Sequence, residues 1–155
     1  MLSRNAEGRE QLRNDVPDGL ASARRKLQAS IEALLAGSDL GPDRVVLGGF
    51  SQGGMLATDL ALHWEHRPAA LVALSAVPVA ANVWRKLAPK RAGLPVILSH
   101  GRRDPVLPYS EGEALRDLLT SAGLSVEFIP FDGPHTVHPD ALDRVAQLLG
   151  GLLPS

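Results

Sequence analysis

Four short apolar runs alternate along the chain with segments of helical periodicity, and this pattern restricts the possible folds most strongly. Short apolar runs of this kind are typical of strands that are buried on both faces. Alternation with helices implies βαβ crossovers, and hence a parallel sheet that is covered by helices on both faces. The predicted strands are Arg44–Gly49, Ala70–Leu74, Leu94–Leu98 and Ser125–Pro130. The predicted helices lie between Pro17 and Gly37, between Gly54 and Pro68, over Ser110–Ala122 and over Pro139–Leu149.

Two segments lack a clear period. Residues 1–16 are polar, and we expect an irregular N-terminal arm there, followed by a single α/β domain over residues 17–155. The stretch from Pro78 to Gly93 lies between two predicted strands. Because α/β proteins often place binding residues in such connections, we expect a loop there that contacts the substrate.

Composition excludes several classes of function. The formal net charge is −1, which gives no long-range field that would attract nucleic acid or anionic lipid. Cysteine is absent, and this excludes disulfides, thiolate metal sites and a cysteine nucleophile. The N-terminal residues lack the apolar core of a signal peptide, and no apolar run is long enough to span a bilayer. We therefore expect a soluble, cytoplasmic protein.

A G-x-S-x-G match surrounds Ser51, between a predicted buried strand and a predicted helix. A nucleophilic serine requires such a sharp strand-to-helix turn, which holds its oxygen out of the sheet. Glycines on both sides would avoid collisions with the neighbouring strand and helix. The backbone N–H of Gln52 would then point from a helix N-terminus at a developing oxyanion. The alternative interpretation is an ordinary glycine-rich turn with a capping serine.

Asp104 follows the third predicted strand, in the run His100-Gly101-Arg102-Arg103-Asp104-Pro105. An acid that orients an imidazole belongs on a loop at the carboxyl end of a strand. Asp-Pro is also common in surface turns, so this signal is weak alone. We expect His100 to have a structural role.

Two histidines follow the fourth predicted strand, and either one could be a catalytic base. His135 lies closer to the strand end and follows Gly133-Pro134, which can turn the loop back towards the sheet. We therefore assign the base to His135 and expect His138 at the entry to the last helix. The resulting order, Ser51, Asp104 and His135, is that of α/β-hydrolases.

Three motifs together resemble the phospholipase/carboxylesterase family, which includes the acyl-protein thioesterases. They are Gly48–Gly54, His100–Pro108 and Gly133–His135. The resemblance implies an esterase acting on small acyl esters or thioesters, with Ser51 as nucleophile, Asp104 as acid and His135 as base. No cofactor is expected. Pro134 departs from the Gly-His pair that is usual at this point in the family.

The first 43 residues depart from the family more strongly. Family members place several strands ahead of the nucleophile, together with a His-Gly loop that supplies a second oxyanion donor, and neither has a counterpart here. We therefore expect the N-terminal strands to be lacking, and activity to be impaired, since one oxyanion donor is worth ~10²–10³ in rate. The strand Arg44–Gly49 would lie at an open sheet edge, through which the chain would self-associate unless residues 1–16 cover it.

Two alternative functions remain open at this point. One is a metal site built from His100, Asp104, His135 and His138, although no metal is expected. The other is a hydrolase-like module that binds a partner without turnover. For the enzyme, we expect Trp84, Val106 and Leu107 to contact the substrate.

Overall fold

The computed structural model describes residues 6–154, which form a four-stranded parallel sheet with helices on both faces. The strands are β1 (Val46–Phe50), β2 (Ala70–Leu74), β3 (Pro95–Gly101) and β4 (Ser125–Phe131), in the spatial order β1-β2-β3-β4. The helices are α1 (Ala6–Asn14), α2 (Leu20–Ala36), α3 (Gln52–His63), α4 (Ala81–Leu87), α5 (Tyr109–Ser121) and α6 (Pro139–Leu152). This confirms the predicted fold class.

Alternate residues of each strand face two separate apolar clusters, as the period of two in a strand requires. On one face, Leu71 and Leu98 belong to a large core that includes residues of α3, α4 and α5 and is flanked by apolar residues of α2. On the other face, Val72 and Ile97 pack with Ala141 of α6. Helices therefore cover both faces of the sheet. The segments that contain Ser51, Asp104 and His135 all follow the carboxyl ends of strands.

The stretch Pro78–Gly93 is more regular than predicted. It contains α4 and a short 3₁₀ helix over Ala88–Arg91. The buried face of this segment is made of Ala81, Trp84 and Ala88, which are fully inaccessible. Alanines give a weak hydrophobic signal, and half-exposed Val83 lies off this face, so the helical period was obscured in the sequence.

The expected irregular arm is also wrong in part, because residues Ala6–Asn14 form helix α1. Arg13 anchors this helix through a bidentate ion pair with Glu111 of α5, in which Nε lies 2.7 Å from Oε2 and Nη2 lies 2.8 Å from Oε1. The backbone N–H of Ala80 also donates to the carbonyl of Asp15. These partners lie at the beginning of α4 and α5, not along β1. Residues 1–5 lie outside the described part of the chain.

The sheet has two edges, and β1 forms one of them. Within residues 6–154, β1 pairs with β2 alone. Beside it, an apolar groove of about 750 Å³ runs between β1 and the end of α6, with Leu40, Val46, Leu149 and Leu153 among its lining residues. The position of β1 at an edge agrees with the prediction. None of the described helices is both long and apolar enough to cross a bilayer.

Candidate active site

Ser51 occupies the turn between β1 and α3 with φ 54° and ψ −118°. A positive φ is costly for a residue with a side chain and persists only where the surrounding structure enforces it. Two backbone hydrogen bonds do so here: the N–H of Ser51 donates to the carbonyl of Leu74, and the N–H of Met55 donates to the carbonyl of Ser51. The Ser51 hydroxyl does not cap α3. It is therefore free for another partner.

Glycine is required at two positions around this turn. A Cβ at Gly49 would lie 2.2 Å from the carbonyl carbon of Gly53, and a Cβ at Gly54 would lie 3.0 Å from the Cβ of Ala76. A Cβ at Gly53 would meet no atom within 4 Å. The prediction that both glycines flanking Ser51 avoid collisions therefore holds for Gly49 and is wrong for Gly53, because the close approach falls one residue later.

Asp104 is buried, and both of its carboxylate oxygens have partners. Oδ1 accepts hydrogen bonds from the backbone N–H groups of Val106 and Leu107, both at 2.8 Å, and Oδ2 faces His135. Burial is the largest influence on the pKa of Asp104 and raises it. The N–H of Leu107, the bond to His135 and the N–H of Val106 together outweigh burial, so the net pKa lies below the ordinary value. Asp104 is therefore an anion at neutral pH.

His135 joins the carboxylate to the serine. Its Nδ1 lies 2.6 Å from Asp104 Oδ2, and its Nε2 lies 3.1 Å from Ser51 Oγ. Because the carboxylate can only accept, Nδ1 carries the hydrogen and Nε2 presents a lone pair to the hydroxyl. The ring of Phe50 packs against the imidazole at a centroid distance of 4.8 Å. This series of groups can move a proton from the serine oxygen to the histidine nitrogen.

The loop that bears His135 leaves β4 at one edge of the sheet and reaches Ser51 at the other. With strands spaced ~4.8 Å apart, three spacings amount to about 14 Å. Ser75, which directly follows β2, supports the loop on its way: its hydroxyl donates to the carbonyl of Thr136 at 3.1 Å. Ser75 is fully buried and has φ 52°. Sequence reasoning missed this residue because its partner lies 61 positions away.

The loops after β3 and β4 are also joined directly. The backbone N–H groups of Arg102 and Arg103 donate to the carbonyls of Phe131 and Gly133. A Cβ at Gly101 would lie 2.3 Å from the carbonyl oxygens of Gly133 and Pro134, so the two backbones touch at this glycine. The predicted acid and base are thereby held in one unit.

The two other histidines near the site have partners of their own. His138 is the N-cap of α6, where its Nδ1 accepts from the N–H of Asp140 at 3.2 Å. His100 is buried, and its Nε2 lies 2.8 Å from the carbonyl oxygen of Leu107. Within residues 6–154, no three or more aspartate, glutamate, histidine or cysteine side chains converge as a metal site.

The three residues predicted to contact the substrate differ in their exposure. Trp84 is fully buried, and its indole N–H donates to buried Asp59 at 2.8 Å, so the structure places it in the core, away from any substrate surface. The buried partner of the ring, Asp59, lies 25 positions earlier, so the sequence did not reveal this contact. Val106 is 62% exposed and Leu107 is partly exposed, but their described contacts near the site are backbone bonds to Asp104.

A shallow groove is lined in part by Gln52, the residue that follows Ser51. It has a volume of about 290 Å³ and a mostly apolar lining that includes Leu20, Gln52, Met55, Leu56 and Val79. Val79 belongs to the stretch that was predicted to contact the substrate. The apolar lining suits an acyl chain better than a polar group.

Comparison with known proteins identifies the family. The family model described as phospholipase/carboxylesterase matches residues 8–151. The chain belongs to this family. The acyl-protein thioesterase 1 of Neurospora crassa is 34% identical to it over 121 residues, which are 76% of this chain and 49% of that protein.

Solved structures of related proteins share the fold. The crystal structure of esterase PE8 superposes with a TM-score of 0.78 at 31% identity, over 87% of this chain and 62% of that one. The crystal structure of the Zea mays acyl-protein thioesterase 2 gives a TM-score of 0.68 at 24% identity, over 99% of this chain and 70% of that one. The chain thus spans about half the length of the Neurospora relative and less than two thirds of esterase PE8.

Proposed function

We propose that this chain is a serine hydrolase of carboxylic esters or thioesters, acting through an acyl-enzyme on Ser51. The contact series Ser51, His135 and Asp104 carries the proposal, with 3.1 Å between Ser51 Oγ and His135 Nε2 and 2.6 Å between His135 Nδ1 and Asp104 Oδ2. Family membership supports it, since related proteins are named acyl-protein thioesterases and esterases.

The mechanism follows from the geometry. Ser51 Oγ attacks the acyl carbon while its proton passes to His135 Nε2, and the anion of Asp104 stabilises the imidazolium. Collapse of the tetrahedral intermediate breaks the bond to the alcohol or thiol, which takes the proton from His135. Water then attacks the acyl-enzyme by the same route, and the carboxylic acid leaves Ser51 in its original state.

The oxyanion requires donors of its own. Gln52 is the first residue of α3, where backbone N–H groups have no partner within the helix and the helix dipole favours negative charge. We assign its N–H as the first oxyanion donor. The chain shows no His-Gly loop ahead of Ser51 that would supply the second. We therefore expect the lack of a second donor to lower kcat/KM by ~10²–10³.

Kinetics with p-nitrophenyl and thioester substrates test the proposal. Ser51→Ala removes the attacking oxygen and is expected to abolish turnover. The double variant Ser51→Ala, His135→Ala is expected to be no slower than either single variant, because the two groups act as a unit. Undiminished hydrolysis by Ser51→Ala would contradict the proposal. A folded wild-type chain that hydrolyses no ester would favour the alternative, a binding module without turnover.

We also propose that the chain self-associates, with the edge of β1 pairing to β1 of a second copy. The strand Val46-Leu47-Gly48-Gly49-Phe50 contains neither charge nor proline, which are the residues that usually protect an edge. In an antiparallel pair centred on Gly48, Val46 of each copy would lie opposite Phe50 of the other, and such aromatic–β-branched pairs stabilise a sheet. The groove beside β1 would lie at the rim of this interface.

A further inference from the structure

His100 lies outside the contact series that we assign to catalysis, yet it is buried at the end of β3, four residues before Asp104. Its residue exposure is 1%, and a buried imidazole costs free energy unless its nitrogens have partners. Nε2 lies 2.8 Å from the carbonyl oxygen of Leu107, which can only accept. The hydrogen of His100 is therefore on Nε2.

Leu107 connects this bond to the carboxylate. Its N–H donates to Asp104 Oδ1 at 2.8 Å, and its carbonyl receives the hydrogen of His100. The N–H of Leu107 is thus bound to Asp104 and its carbonyl to His100, and the two bonds together fix the turn from Asp104 to Leu107. The direct separation between His100 Nε2 and Asp104 Oδ2 is 3.4 Å, which is long for a hydrogen bond and secondary to the bond with Leu107.

The opposite side of the ring is fitted to helix α5. A Cβ at Gly112 would lie 2.5 Å from His100 Nδ1, so only glycine leaves room for the imidazole. Nδ1 itself has no hydrogen-bond partner among the described residues. A protonated ring would place an unpaired N–H and a charge in this buried position, so the neutral ring with its hydrogen on Nε2 fits the site.

We propose that His100 is a positioning residue, which holds the turn from Asp104 to Leu107 so that Oδ2 faces His135. This proposal rests on the proposed function of Ser51, Asp104 and His135. The residue touches neither the serine nor the groove beside it. It acts through the carbonyl of Leu107.

Two substitutions separate a positioning role from packing. His100→Leu keeps apolar volume but removes the donor, while His100→Gln retains an amide N–H that can reach the Leu107 carbonyl. We expect His100→Leu to lower kcat by roughly 10²-fold, the cost of a misplacement of about 1 Å, with KM unchanged. His100→Gln should recover most of this loss. Equal losses in both variants would overturn the proposal.

The pH profile gives a second readout. A loosened Asp104 stabilises the protonated form of His135 less, so the acid limb of kcat/KM should move to lower pH in His100→Leu. In an Asp104→Asn background, His100→Leu should add almost nothing, because the carboxylate that it positions is absent. A reduced rate with an unmoved acid limb and additive losses would show a purely structural role.

Gly112→Ala covers the case in which His100→Leu does not fold. The added methyl group displaces the ring by contact with Nδ1, and the same kinetic changes are expected. Gly150→Ala on α6 is the matched control, since a Cβ there would meet no atom within 4 Å. If a folded Gly112→Ala variant keeps the wild-type rate and acid limb, the proposal is wrong.

The hydrogen bond between His135 and Asp104 can also be observed without turnover. The Nδ1 proton of His135 is expected to give a low-field NMR resonance, which should shift or broaden in His100→Leu and return in His100→Gln. An unchanged resonance in His100→Leu would overturn the proposal. A wild-type chain that neither hydrolyses esters nor reacts with a fluorophosphonate would instead contradict the proposed function alone.

Discussion

The two edges of the sheet are built in different ways. The β4 edge carries Glu127, which Arg144 of α6 binds through three contacts of 2.8 to 3.0 Å, and Pro130, which cannot donate to a further strand. The β1 edge consists of apolar residues and glycine. Charge and proline protect β4 against pairing with another strand, whereas β1 has the composition of a central strand.

The candidate site joins these two edges. Ser51 follows β1, and His135 follows β4, so the contact between them depends on a loop that crosses the ends of β2 and β3. The hydrogen bonds that support the loop come from residues that follow β2 and β3, and the Phe50 ring of β1 packs against His135. The acid and base are therefore held by contacts from several loops, whereas β1, which precedes the serine, pairs with one strand among the residues that the structure describes.

The largest effect is expected from removing the contact between His135 and Ser51. His135→Ala removes the base and should lower kcat/KM by several orders of magnitude. His138→Ala is the matched control, because it removes the N-cap of α6 and the ring stacked on Phe131, and should cost stability of ~1 kcal/mol or somewhat more with little loss of rate. Steady-state kinetics and thermal melts of both variants decide the assignment. The reverse pattern would show that His138 is the base.

Asp104→Asn tests the acid next. The amide should preserve the fold yet reduce turnover by ~10⁴, because the imidazole would be held in the wrong tautomer. Another carboxylate, Asp132, lies nearby in the sequence, but it is 79% exposed in its side chain and paired with Arg103 at 2.8 Å. Asp132→Asn should therefore leave kcat almost unchanged. An Asp104→Asn variant with most of its rate would mean that a different group orients His135.

Lysine substitutions beside β1 test whether this edge pairs with a second copy of the chain. Val46→Lys and Leu40→Lys place an ammonium group in the groove beside β1 and should weaken self-association at least tenfold. Leu142→Lys introduces the same charge at an exposed leucine of α6 outside the groove. Light scattering over a concentration series measures the effect. A monomeric wild-type chain would contradict self-association through this edge.

The smallest effect concerns stability in acid. Asp104 and Glu127 both have a pKa below the ordinary value in the folded state, the latter through its bond to Arg144. Such groups stabilise the fold above their unfolded pKa of about 4, and this contribution is lost as pH falls through the lower folded value. Melting temperature should thus decline from about pH 5 downwards, and less steeply in Asp104→Asn. Glu127→Gln should change the slope less, because its ion pair is exposed and screened.

Strands and candidate catalytic residues were predictable because their signals are local. Apolar runs marked each strand within a few residues, and the turn glycines and loop positions pointed to Ser51, Asp104 and His135. Helix α4 was not predicted because Ala81 and Ala88, on either side of Trp84, give little hydrophobic signal. Trp84 was predicted to contact the substrate because its buried partner, Asp59, lies 25 positions away.

The supporting residues were not predictable because their partners are distant or are backbone atoms. Ser75 reaches the carbonyl of Thr136, and His100 reaches that of Leu107, so neither pairing leaves a pattern of residue types. Helix α1 depends likewise on Arg13 meeting Glu111, 98 positions later. Only the fold brings these groups together.

Covalent labelling tests the central claim most directly, since it depends on an activated serine and not on the identity of the substrate. A fluorophosphonate should add one phosphonyl group to the wild-type chain, and peptide mapping by mass spectrometry should place it on Ser51. Ser51→Ala should not be labelled, and His135→Ala should be labelled far more slowly. A folded wild-type chain that stays unlabelled, or that carries the label on another serine, would contradict the account.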